Sequence, residues 1–243
     1  MRATPAARVL ATLALMALGQ PAQAGCRLAL LLGLDISSSV DAAEDRLQRQ
    51  GLAAALAAPD VAEAILSVPG QGVVLSVFEW SGQVQQDSVM DWVILDSPQA
   101  IDRASAHIAN STRSYADFAT AIGRALDFAE ARFTRAPPCD RQILDLSGDG
   151  IHNDGPGPGN AYARGTLADV TVNGLAIVVD DPALDHADPG DLVAHYRDQV
   201  IRGPGAFVIR AAGFEDFQDA MRRKLLRELS VQIGQAATAP PHQ

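Results

Sequence analysis

The sequence predicts an α/β fold: a doubly wound, mostly parallel six-stranded sheet with helices on both faces and one antiparallel strand. Three observations carry this. Short apolar runs alternate with amphipathic stretches along most of the chain, the pattern of strands joined by crossover helices. The first run, Leu28 to Leu34, is continuously apolar and ends in Asp35, as a strand buried on both faces should be. Two further runs, Gly72 to Trp80 and Val89 to Leu95, are separated only by Ser81-Gly82 and a few polar residues. That spacing reads as a hairpin, so one of the two runs against its neighbours.

The remaining elements follow in order. Asp41 to Ala57 has helical spacing, with Leu47, Leu52 and Leu56 on one side and Glu44, Asp45, Arg46 and Arg49 on the other, and Pro59 ends it. Val61 to Leu66 is a short second helical piece. Ser97-Pro98 opens a helix running towards Ile108, and another amphipathic helix covers Ala119 to Phe133. Ile143 to Leu146 is a fourth strand, followed by Ser147-Gly148-Asp149-Gly150 and a loop rich in Gly and Pro. A short helix over Tyr162 to Leu167 leads to a fifth strand, Val172 to Val179. Leu192 to Val200 is helical and Ala206 to Ile209 is a sixth strand. The final helix puts Phe214, Phe217, Met221, Leu225 and Leu229 on one stripe, with Arg222, Arg223 and Lys224 opposite. There is no internal repeat and no linker, so one domain is expected over residues 25–233, with 234–243 a disordered tail.

Residues 1–24 read as a secretory signal peptide. Arg2 and Arg8 flank the start of an apolar run from Val9 to Leu18, and Ala22-Gln23-Ala24 supplies small residues before Gly25. The run is too short to span a bilayer, and no later segment is long and apolar enough, so no membrane insertion is expected. The chain is predicted to be periplasmic or secreted. Its 19 basic residues against 29 acidic ones give a net charge of −10, and removal of Arg2 and Arg8 makes it more negative. Such a surface repels nucleic acid and anionic lipid and suits cations. Cys26 and Cys139, the two cysteines, predict a disulfide in an oxidising compartment. Lipidation of Cys26 is the competing reading, since Ala24-Gly25-Cys26 loosely resembles a lipoprotein processing site; Gln23 stands where that site wants leucine. If the strands that follow the two cysteines are adjacent and parallel, both sulfurs lie at one edge of the sheet.

Ligands bind outside the carboxyl ends of strands in such a sheet. Asp35 follows the first strand and Asp149 the fourth, neighbours in the common strand order, with the hydroxyls of Ser37 and Ser39 in the turn beyond Asp35. Two carboxylates and two or three hydroxyls suit a hard cation such as Mg²⁺, which takes about six oxygens and keeps an open position. Helix capping is the alternative use of Asp35 and the serines, and Ser39 would cap the helix beginning near Asp41.

Asp35-Ile36-Ser37-Ser38-Ser39 after an apolar strand resembles the first motif of von Willebrand factor type A domains, which carry a metal-ion-dependent adhesion site. Thr120-Ala121-Ile122-Gly123-Arg124-Ala125-Leu126 is similar to the second motif and Leu146-Ser147-Gly148-Asp149-Gly150 to the third. More narrowly, Tyr196 to Ile201 together with Gly203-Pro204-Gly205-Ala206-Phe207 resembles a bacterial secreted domain-of-unknown-function family. The resemblance implies that Ser37, Ser39 and Thr120 ligate Mg²⁺, or Mn²⁺ or Ca²⁺, through hydroxyls. Asp35 and Asp149 then act directly or through water, and an acidic group of a protein partner completes the shell. It implies a non-enzymatic binding or adhesion module. Two departures stand. Phe118-Ala119 replaces the Gly-Gly often found before the threonine. In addition, Tyr115, Phe118, Ile122 and Leu126 have helical spacing, which allows the helix placed at Ala119 to begin instead near Ser114, with Thr120 in its second turn. Thr112 or Ser114 would then substitute for Thr120.

The alternative function is a metal-dependent phosphatase or phosphotransferase with Asp35 as nucleophile. Those enzymes place a second carboxylate two residues on, and Ser37 stands there instead. No Gly-x-Ser-x-Gly elbow supports a serine hydrolase, and His195 reads as a surface residue of its helix. The prolines of Gly155-Pro156-Gly157-Pro158-Gly159 remove amides a phosphate would need, so this loop reads as a stiff turn. Asn153 and Asp154 are candidates to border the metal site. Asp180, Asp181 and Asp185 read as a solvated loop rather than a second cation site.

Overall fold

The computed structural model describes residues 25–179 and 189–230. The expected signal peptide, the tail, and Asp180, Asp181 and Asp185 lie outside the described residues. Six strands form one sheet: β1 (Gly25–Asp35), β2 (Gln71–Trp80), β3 (Gln86–Ile94), β4 (Gln142–Gly148), β5 (Thr171–Val178) and β6 (Val208–Ala212). Their order is β3-β2-β1-β4-β5-β6, parallel throughout except for the β2–β3 hairpin. The predicted fold class is the observed one. The strand order reverses its progress between β1 and β4, so the crevice of a doubly wound sheet opens where Asp35 and Asp149 emerge.

Helices α1 (Ala42–Leu56), α2 (Pro59–Leu66), α3 (Pro98–Ala109) and α7 (Phe217–Ser230) cover one face through a cluster that includes Leu52, Val61, Ile101 and Phe217. Helices α4 (Ile122–Phe133), α5 (Pro158–Ala163) and α6 (Pro189–His195) cover the other, where Leu126, Ala161 and Leu192 pack on Leu31, Leu144 and Leu146. A π-helical turn, Tyr196–Val200, continues α6. Among the described residues no helix is long and apolar enough to cross a membrane. Cys26 and Cys139 form the predicted disulfide at the edge where β1 and β4 begin, opposite the crevice.

Several elements depart from the sequence pattern, each for a physical reason. In α1 the buried face runs through Asp45, Gln48, Arg49, Leu52 and Leu56, while Leu47 is exposed. Those buried positions have the i, i+3 and i+4 spacing of one helical face, and Leu47 falls off it. Asp41, not Ser39, caps this helix, with Glu44 returning to the Asp41 amide in a capping box. Helix α5 begins earlier than expected because Pro158 sits at its first turn, and Leu167, expected within it, is left-handed at φ 57°. Strand β6 starts only after the turn in which Gly203 and Gly205 take positive φ.

Lys224 is the largest reversal. Placed opposite the apolar stripe by the sequence, it is fully buried. Its Nζ lies 2.9 Å from Glu228 Oε1 and 3.2 Å from Asp145 Oδ1, and Asn173 Nδ2 donates to the same Glu228 oxygen at 2.7 Å. A cation with two carboxylates in reach can leave water where an isolated one cannot.

Candidate metal centre

The first strand delivers Asp35 into the crevice fully buried, and the chain turns sharply there. Asp35 Oδ1 accepts a 2.8 Å hydrogen bond from the Ser37 amide, so the carboxylate organises the turn that follows it. The Ile36 amide donates to Trp80 O at the end of β2, and the Ser38 amide to Phe118 O. These bonds leave the Ser37 and Ser39 hydroxyls 3.1 Å apart, and Ser39 Oγ donates to Asp149 Oδ1 at 2.7 Å. A chain of oxygens thus runs from the end of β1 to the end of β4.

Thr120 lies just ahead of α4, not in its second turn. The helix placed at Ala119, with Ser114 as its alternative start, begins at Ile122 because tertiary hydrogen bonds take the backbone first. The Ser114 amide donates to Glu79 Oε1, Asp117 is left-handed at φ 65°, and the Ala121 amide donates to Ser81 O. Thr120 is buried, its amide donates to Asn153 Oδ1 at 2.8 Å, and its carbonyl accepts from the Asn153 amide. A Cβ on Gly150 would stand 3.0 Å from Thr120 Oγ1, which places that hydroxyl against the Asp149-Gly150 turn. Ser114, the named substitute, gives its hydroxyl to Asp87 instead, and Thr112 is exposed.

All five predicted residues therefore border one crevice: Asp35, Ser37, Ser39, Thr120 and Asp149. Their charges are poorly compensated. Burial, then the neighbouring Asp149 carboxylate, pushes Asp35 well above the ordinary carboxylate range. Burial also pushes Asp149 up to about 6, against the Ser39 hydrogen bond and with the charge of Glu44. Asp35 Oδ2 is buried and has no hydrogen-bond partner among the described residues. Such an oxygen is costly to bury unless something positive meets it. The all-oxygen donor set fits a hard divalent cation rather than a soft one. Among the described residues no three His, Cys, Asp or Glu side chains group as a metal site. A cation site here has to use hydroxyls as well as carboxylates.

Residues the sequence did not single out hold this arrangement. Gln48 Nε2 donates to Asp35 O at 2.9 Å, and the Ser147 hydroxyl sits between Gly33 O and Gln48 Oε1. The signal for Gln48 was its i, i+4 spacing with Leu52, which puts an amide on an apolar face. Buried Arg49 binds Asp45 Oδ1 at 2.9 Å, Glu79 Oε2 at 2.5 Å and Ser111 Oγ at 2.9 Å, tying α1 and β2 to the loop that leads to Thr120. Asp154, already a candidate from the sequence, accepts from Gln83 Nε2 at 2.9 Å, fastening the hairpin turn to the loop after β4. His195 is half-buried rather than a surface residue, and its Nε2 accepts from the His152 amide at 3.2 Å.

Comparison with known proteins agrees with the architecture. The family model described as a protein of unknown function, DUF1194, matches residues 25–233. No curated protein matches the chain. Solved structures similar in fold include the following three. The mussel byssus proximal thread matrix protein 1, in a form described as having a zinc-occupied MIDAS motif, has a TM-score of 0.59 at 17% identity over 85% of this chain and 48% of that one. A von Willebrand factor type A protein from Catenulispora acidiphila has a TM-score of 0.55 at 18% identity, covering 84% and 43%. The pilus adhesin SpaC from Lactobacillus rhamnosus GG has a TM-score of 0.58 at 11% identity, covering 84% and 30%. The chain spans less than half the length of each. At these identities the likeness is one of fold, and that fold is of the von Willebrand factor type A kind.

Proposed function

We propose that this chain, which belongs to the DUF1194 family of proteins of unknown function, is an exported, non-enzymatic binding module. In this reading Asp35, Ser37, Ser39, Thr120 and Asp149 hold a divalent cation, Mg²⁺ first and Mn²⁺ or Ca²⁺ next. The cation would supply a positive centre with an open position for a carboxylate of a protein partner. The observation that carries this is the run of hydrogen bonds from Asp35 through Ser37 and Ser39 to Asp149, beside a buried Asp35 Oδ2 that has no hydrogen-bond partner among the described residues.

A protein-sized partner is supported by what surrounds the crevice. Phe118, whose carbonyl binds the Ser38 amide, is 38% exposed, and Ile151, two residues beyond Asp149, is 49% exposed. Val84, 77% exposed, sits in the hairpin turn that Gln83 fastens to the same loop as Ile151. Exposed apolar side chains grouped around a polar centre are typical of interaction surfaces. A nucleophilic role for Asp35 fits less well: it is fully buried, its Oδ1 is committed to the turn, and Ser37 occupies the place of a second carboxylate. The disulfide favours an oxidising compartment.

Calorimetric titration with Mg²⁺ and with Mn²⁺ tests the reading. Wild type should bind one ion and Asp35→Ala none; equal binding by the two proteins refutes the assignment. Pull-down from a periplasmic extract with and without chelator then tests for the carboxylate-bearing partner.

A further inference from the structure

We propose that Tyr196 is a positioning residue for the metal site, its hydroxyl donating a hydrogen bond to Asp35 Oδ2. Its functional half rests on the metal-binding reading above. The argument begins with how the ring is lodged. Tyr196 opens the π-helical turn, in which the Ile201 amide donates to Tyr196 O at 2.9 Å across five residues. Single π turns within α-helices often sit at functional sites, because the extra residue re-aims a side chain. Here the turn drives the ring inward until it is wholly buried.

Two glycines make room for it. A Cβ on Gly174 of β5 would stand 2.5 Å from Tyr196 Cδ1, and a Cβ on Gly148 of β4 would stand 2.6 Å from Tyr196 Oη. The ring therefore lies over the sheet from β5 towards β4 with its hydroxyl leading. That same Gly148 position is 2.6 Å from Asp35 Oδ2. The two oxygens are consequently no further apart than twice that distance, at a point only a glycine can occupy.

Both oxygens are buried, and neither has a hydrogen-bond partner among the described residues. Buried tyrosine hydroxyls almost always find one, and a phenol can donate exactly what a carboxylate needs. Asp35 Oδ1 then organises the turn bearing Ser37 and Ser39, while Oδ2 accepts from Tyr196 with one lone pair and keeps the other for the cation. Outer partners of this kind typically change metal affinity by about 10- to 100-fold.

The test uses Tyr196→Phe, which keeps the ring in its glycine-lined slot and removes only the O–H. Titration with Mn²⁺ alone should show affinity at least about tenfold weaker than wild type. A metal-free double-mutant cycle of Tyr196→Phe with Asp35→Asn, read by urea unfolding, should show the pair coupled by at least about threefold in the unfolding constant. Mn²⁺ affinity unchanged in Tyr196→Phe overturns the positioning role, and zero coupling overturns the contact itself. If wild type binds no Mn²⁺ while the coupling persists, the metal-binding reading has failed and Tyr196 has no site to position.

Discussion

Ser39 Oγ donates to Asp149 Oδ1 at 2.7 Å, one hydrogen bond joining residues 110 apart in sequence. It links the ends of β1 and β4, but it leaves Asp149, itself only partly buried, beside the fully buried Asp35, whose ionisation the Asp149 charge makes harder. Asp149→Asn keeps an oxygen for Ser39 to bind and removes one of the two charges. We expect the metal-free variant to be more stable than wild type, by on the order of 1 kcal/mol at neutral pH. We expect its Mn²⁺ affinity to fall at least about tenfold. Stability gained as binding is lost marks a functional site rather than a structural one. Urea unfolding without metal, set beside a Mn²⁺ titration, checks both halves; a destabilised metal-free variant would contradict the account.

The disulfide acts at the other end of the sheet. Cys26 and Cys139 are 113 residues apart, so their bridge restrains a long loop of the unfolded chain. Replacing both with alanine should cost about 5 kcal/mol in the chain-entropy picture. Because the bridge lies where β1 and β4 begin, metal affinity of the still-folded variant should match wild type. Thermal melts with and without reductant measure the first effect and calorimetry the second. Weaker metal binding without loss of fold would show the two ends to be coupled.

What the sequence reveals and what it hides divide along physical lines. Leu28 to Leu34 announces a buried strand because every side chain must be apolar there, and Asp35 stands out by interrupting it. Likewise Asp149-Gly150 marks the end of β4. Those patterns are local, and they place the candidate site. The start of α4 is not local: Tyr115, Phe118, Ile122 and Leu126 keep helical spacing, yet Glu79 and Ser81, from β2 and its end, claim the backbone first. Lys224 and Arg49 look like surface cations because their partners, Asp145 and Glu79, come from strands distant in sequence. Tyr196 likewise gains its place from two glycines on separate strands.

The buried charges around Lys224 make stability depend on pH. One ammonium faces Glu228 and Asp145, and among the described residues neither Asp145 oxygen has a hydrogen bond of good geometry, although Lys224 is within ion-pair reach. Burial therefore prevails over the pull of Lys224, helped by the charge of Glu228, and pushes Asp145 up to about 7. Unfolded, the same carboxyl releases its proton near 3.8. Between those values the folded state binds more protons, so stability falls as pH rises. The contribution is fully present below about 4 and gone above about 7, with a slope of at most about 1.4 kcal/mol per pH unit. Asp35 and Asp149 shift in the same direction, so Asp145→Asn should flatten the decline without abolishing it. Urea unfolding of the metal-free proteins across pH 4.5 to 7.5 makes the comparison, and identical slopes would remove Asp145 from the explanation.

Glu79 offers a test of how the crevice is held from a distance. Its Oε2 pairs with Arg49 at 2.5 Å and its Oε1 accepts the Ser114 amide at 2.6 Å, so one buried carboxylate anchors the loop that ends in Thr120. Glu79→Gln retains an acceptor for Ser114 but leaves Arg49 with Asp45 as its sole carboxylate partner in that cluster. Weakening a buried pair in this way should cost about 3 kcal/mol of stability. The loss should be uneven. Strand β1 and its neighbours are locked by the sheet, whereas residues 111–120 depend on a few tertiary hydrogen bonds, so their amides should exchange faster by a larger factor than those of β1. Mn²⁺ affinity should fall as well, although Glu79 is no candidate ligand, because Thr120 would no longer be held against the Asp149-Gly150 turn. Hydrogen exchange read residue by residue decides the matter: if protection in 111–120 declines only in step with β1, the carboxylate stabilises the fold as a whole and does not position the loop.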